Sequence, residues 1–112
     1  MTSDNLVIFQ KIYDFVLLIY PIINHIPKSH RMVLGRHLGD NCIRLLLLVT
    51  KANKTRDVSR KILQDEISDS LDSLRILIRL TKDLKFLSIS QYALLAKNLN
   101  EIGKMVYCWS KV

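Results

Sequence analysis

Apolar residues recur every three or four positions along most of the chain, and the rhythm breaks in three places. The breaks are "YPIINHIPKSH" (20–30), with two prolines six residues apart, "KANKTRD" (51–57), and the stretch leading into "SISQ" (88–91). A period near 3.6 between them predicts four helices. The first carries Leu6, Phe9, Tyr13, Val16 and Tyr20, with Ser3 or Asp4 as its cap. Pro21 lacks an amide donor and disfavours helix in the residue before it, so it kinks this helix or thins its last turn, and Pro27 ends any continuation. The second helix opens near Ser29 as N-cap and places Leu34, Leu38, Cys42, Leu45 and Val49 on one stripe. Thr55 or Asp57 opens a long third helix that ends around Lys85, with Leu63, Ile67, Leu71, Leu74 and Ile78 as its core stripe. "SISQ" matches the S-x-x-Q capping box and opens a fourth helix running to the C-terminus. Short connections set successive helices antiparallel, so the expected fold is all-α: a single domain, 1–112, forming an antiparallel up-down-up-down four-helix bundle.

The third helix has a second apolar side. Ile62, Ile76, Leu80 and Leu84 lie well over 100° from the centre of its core stripe, too far round to face the same core. Such a stripe, with the nearly all-round apolar run Leu45 to Leu48 on the second helix, predicts a homo-oligomer interface. Gly35 and Gly39 stand one turn apart, and each costs about 1 kcal/mol against alanine in a helix interior, which suggests close approach of another backbone or, more plainly, a loosened exposed turn.

Composition narrows the function. At 112 residues, 49% hydrophobic, with three glycines and two prolines, the chain is neither disordered in composition nor supplied with the turns of an all-β fold. A net charge of +7 suits polyanion partners and simple solubility equally. On the third helix Arg75, Arg79 and Lys82 stack at i, i+4, i+7, with Lys61 and Gln64 extending the face and no acid at i−4 of Arg79 or i+4 of Arg75; a phosphate-binding face and a solvated face are both open readings. Lys28, His30 and Arg31 gather at a helix N-terminus, whose amides add to the attraction for phosphate.

Catalytic chemistry is sparse. His25, His30 and His37 have no nucleophile or carboxylate in triad spacing, the acidic patch Asp65, Glu66, Asp69, Asp72 reads as solvated or paired, and there is no Gly-rich phosphate loop. Cys42 and Cys108 lack CxxC spacing and read as reduced, small hydrophobes, so neither metal nor cofactor is expected. No apolar run reaches the ~20 residues of a bilayer span, and "MTSDNL" is not a basic signal-peptide start, so a cytoplasmic location without a membrane partner is expected.

The corner Ile26-Pro27-Lys28 followed by Arg31 and Leu34-Gly35, the run Leu-Arg-x-x-x-Arg-Leu of Leu74 to Leu80, and Glu101-Ile102-Gly103 with Trp109 occur here in one order and spacing. Through them nearly the whole chain resembles the accessory variability determinant proteins of diversity-generating retroelements, four-helix-bundle proteins akin to those encoded in ribosomal RNA intervening sequences. The resemblance implies a homopentameric barrel, not an enzyme, that partners an error-prone reverse transcriptase and its template RNA, or RNA/DNA, in mutagenic retrohoming. It implies polyanion and polymerase binding by the basic third-helix positions, here Arg75 and Arg79. Polar Asp40, Asn41 and Cys42 depart from the family pattern, as does Cys108, where a small residue is usual. The alternative is a homo-oligomeric assembly module of the intervening-sequence type with no nucleic-acid role.

Overall fold

The computed structural model describes residues 3–111, with side chains from Leu6 onward. The elements are α1 (Ser3–Asn24), a single turn α2 (Lys28–His30), a π-helical turn (Arg31–Gly35), α3 (Arg36–Lys54), α4 (Ser59–Asp83) and α5 (Ile89–Ser110). Since α2, the π turn and α3 follow without a break, the chain folds as four rods. Each of α1 and α4 packs on both α3 and α5, which leaves α1 and α4 diagonally opposed in a bundle 43 × 24 × 19 Å. The described residues contain no strand.

The corner forms as the prolines dictate. Helix α1 continues for one turn past Pro21, but its end tightens to three-residue bonds, His25 N–H to the Ile22 carbonyl at 3.0 Å and Ile26 N–H to that of Ile23 at 3.1 Å. A ring nitrogen of His25 lies 2.8 Å from the Pro21 carbonyl, satisfying another acceptor at the helix end. Pro27 is itself the residue that precedes the next helix, its carbonyl accepting from His30 and Arg31 N–H. Ser29 therefore lies inside the first turn and caps nothing, a correction to its expected role. The proposed caps Ser3 and Asp4 lie outside the described side chains.

Of the other polar signals the Ser88 box acts as read, whereas Thr55 closes α3 instead of opening α4, and the residue preceding α4 is Val58, with Asp57 one position ahead of it. Asp57 accepts from Ser59 N–H at 2.9 Å at the start of α4. Ser88 Oγ accepts from Gln91 N–H at 3.0 Å while Gln91 Oε1 accepts from Ser88 N–H at 2.9 Å, the reciprocal capping box that opens α5. Helix α4 closes in a Schellman arrangement: Lys85 adopts φ 68°, its N–H reaches the Lys82 carbonyl, and Phe86 N–H reaches that of Thr81.

The stripes expected on the second and third helices are all buried and form the core with Leu95, Leu99, Ile102, Val106 and Trp109 of α5. Helix α1 departs from expectation. Its core face is Ile8, Ile12, Phe15, Val16 and Ile19, while Leu6, Tyr13 and Tyr20 point outward beside Leu17. The helix is apolar nearly all round, so several phases of the period match equally well, and only the neighbouring helices choose between them. Leu6–Asn24 also has the length and mean hydropathy, 1.8, to cross a bilayer, which a search for uninterrupted apolar runs misses because Gln10, Lys11 and Asp14 divide it. Here its inner stripe packs in the bundle, and Lys11 Nζ meets Glu101 of α5 at 3.4 Å.

The glycine expectation is corrected as well. A Cβ at Gly39 would meet nothing within 4 Å, and one at Gly35 would touch only side chains, Arg31 and Ile23, at 3.4–3.6 Å. Neither marks a close backbone within the protomer; Gly39 is the loosened, open position.

Candidate nucleic-acid interface

At 100° per residue, Arg75, Arg79 and Lys82 fall within about 60° of one another on α4. Their contacts show that this edge faces α5. Arg75, half-exposed, donates from Nη1 to Asp72 Oδ1 at 2.7 Å and from Nη2 to the Leu99 carbonyl at 3.5 Å. Its guanidinium lies over Gly103: a Cβ built there would stand 2.5 Å from Nη2. Gly103 leaves the space that the end of the Arg75 side chain fills. Lys82 Nζ sits 4.5 Å from the centre of the Tyr92 ring, and Arg79 extends into solvent.

Asp72, read from the sequence as a slight interruption of this face, does lie beside it, and Asp83 joins it. Asp72, at i−3, pairs with Arg75, and Asp83, at i+4, lies 4.0 Å from Arg79 and 3.4 Å from Lys82. Exposed pairs of this kind contribute about 0–1 kcal/mol, so they hold these side chains only weakly.

The other candidates separate. Lys28 and Arg31 are exposed and without ion pairs among the described residues. His30 stacks at 4.8 Å on Phe86, which ties their corner to the α4–α5 connection and so to the end bearing Lys82. Lys61 lies 21 residues before Lys82, about 31 Å along the axis, and pairs with Asp65 at 3.3 Å. It belongs to the opposite end of the bundle. Ile62, Ile76, Leu80 and Leu84 are exposed, Ile76 to 70%, on the outer face of α4.

Between α4 and α5 runs an open groove in two parts that share Arg75 and Asn100. The larger, about 620 Å³, is lined also by Ser68, Leu71, Asp72, Gly103, Lys104, Tyr107 and Cys108; the smaller, about 160 Å³, by Ile78, Tyr92, Ala96 and Leu99. Along its α5 rim stand Lys97, Lys104 and Lys111, all exposed and none with a carboxylate partner among the described residues. Lys111 Nζ lies 4.8 Å from the Tyr107 ring centre. This stripe went unread in the sequence although its signal was there: a spacing of seven falls only about 20° short of two full turns.

The remaining polar groups are occupied or dispersed. Glu66 lies 4.0 Å from Arg44, and the His37 carbonyl accepts from Asn41. Among the described residues no group of three or more His, Cys, Asp or Glu could hold a metal ion. Burial pushes the Cys42 thiol up to about 12, whereas Cys108 is exposed in the groove instead of packing as a small hydrophobe. At the far end, Arg60 lies 5.0 Å from the Trp109 ring centre, and Asn53, 3% exposed, finds no amide partner among the described residues.

No curated protein and no solved structure matches the chain. A family model described as bAvd-like matches residues 6–112, a span that holds the four rods but for the first three residues of α1, with the corner and the α4 arginines. The chain belongs to the bAvd-like family of accessory variability determinant proteins.

Proposed function

We propose that this protein is a non-catalytic accessory subunit of a diversity-generating retroelement, binding template RNA, or RNA/DNA, and the error-prone reverse transcriptase through the basic α4–α5 face. Membership of the family supports the retroelement role. The observation that carries the binding role is the groove itself, where Arg75 is held between helices by Asp72 and the Leu99 carbonyl, and where Lys104 has no carboxylate partner among the described residues. Phosphate neutralisation releases condensed counterions, so affinity for RNA falls steeply with salt. The double variant Arg75→Ala with Arg79→Ala lowers that slope by about two units, with similar losses on unrelated sequences because the contacts are to backbone. A folded double variant that binds RNA and reverse transcriptase as the parent does would sink this assignment.

The protein acts as a cytoplasmic homo-oligomer in this reading. Exposed apolar residues on three of its rods include Ile62, Ile76, Leu80 and Leu84 on α4, Leu6, Tyr13, Leu17 and Tyr20 on α1, and Ile43 and Leu47 on α3. A contact between unlike faces of neighbouring subunits is head-to-tail and can repeat around a ring. Five subunits are expected from the family resemblance. The same apolar faces favour the second reading, an assembly module with no nucleic-acid role, and RNA binding that is absent or insensitive to salt would select it.

A further inference from the structure

The geometry points to a single strand as the form of nucleic acid that the α4–α5 groove takes, with phosphates on Arg75 and Lys104 and a base stacked on Tyr107. This rests on the nucleic-acid role proposed above and adds to it the strand state and the place of binding. Sequence-tolerant capture of a single strand needs a basic track and an exposed aromatic ring beside it, and the groove has both. Of the five N–H donors of Arg75, one is engaged by Asp72 and one by the Leu99 carbonyl, which leaves three for a ligand while the plane is held over Gly103. Lys104 lines the same depression without an acid partner among the described residues. Tyr107 lines the groove and is 62% exposed, with the Lys111 ammonium over its ring.

The groove is also too narrow for a duplex. Packed helix axes stand roughly 8–10 Å apart, so the space between two of them admits an unpaired base or a single backbone, while a double helix would rest on the rims. Paired bases, moreover, have no free face to offer Tyr107.

Cys108 supplies the test, since it lines the groove and is exposed while Cys42 is buried. The full-length protein is labelled with a neutral maleimide, alone and saturated with either a single-stranded homopolymeric RNA or a duplex RNA of equal length. Bound single strand slows labelling of Cys108 severalfold, and bound duplex leaves it unchanged. Tyr107→Ala weakens single-strand affinity by about 5- to 100-fold, the loss of one stacked base, leaves duplex affinity as it was, and is rescued by Tyr107→Phe. Single-strand binding that neither protects Cys108 nor responds to Tyr107→Ala would overturn the inference and leave the broader nucleic-acid role standing. Equal protection by duplex would overturn the strand preference, and absence of any RNA binding would remove both readings.

Discussion

Cys42 and Cys108 carry the same thiol and differ only in where the helices put it. Cys42 lies in the seam of the core at 0% exposure, where desolvation of the thiolate raises its pKa from 9.0 to about 12. Cys108 faces solvent in the α4–α5 groove. One thiol per chain is therefore expected to react with maleimide in the folded protein and two after unfolding, as mass spectrometry would count. The buried thiol also sets a pH window. Below pH 9 both folded and unfolded chains keep its proton and it adds no pH dependence; above pH 9 the unfolded chain releases the proton and the folded one retains it. Stability therefore falls with a component of about 1.4 kcal/mol per pH unit up to about 12. Urea titrations across pH 9–12 should show a shallower decline for Cys42→Ala than for the parent, and parallel declines would refute the assignment. Single residues were otherwise the hardest features to read. That an arginine from another helix lies over Gly103 is a fact of packing, and nothing near Gly103 in the chain shows it.

The elements were legible wherever a residue type has one dominant local use. Proline at 27 and the Ser88–Gln91 capping box placed two connections because the missing donor and the reciprocal bonds act within four residues of chain. Helices α3 and α4 were phased correctly because polar residues fill the positions between their apolar stripes. Helix α1 has few polar residues to break the tie, and the stripe Leu6, Tyr13, Tyr20 is its outer side. The end of α4 was read correctly near Lys85 although its left-handed C′ position is filled by that lysine where glycine is usual. A side chain there costs about 1 kcal/mol, so Lys85→Gly is expected to raise stability by up to about that amount in chemical denaturation. A loss of stability would mean that the lysine side chain itself holds the α4–α5 connection.

For the whole molecule, the total charge could be counted in advance but its distribution could not, because a groove exists only once two helices pack. The apolar surplus was visible earlier, and it stands on the outer sides of α1, α3 and α4. Light scattering at micromolar concentration should report an oligomer. The pair Ile76→Glu with Leu80→Glu, both on exposed positions of α4, should give a folded species near 13.0 kDa. A parent protein already at that mass would remove the ring from consideration. Trp109 makes such changes readable in light. It is the chain's one tryptophan, 6% exposed beneath the Arg60 guanidinium where α4 begins and α5 ends. All indole emission thus comes from a single spot at the end of the bundle away from the proline corner. It will move to longer wavelength as soon as that end parts, so the colour of the fluorescence reports which end of the bundle opens first.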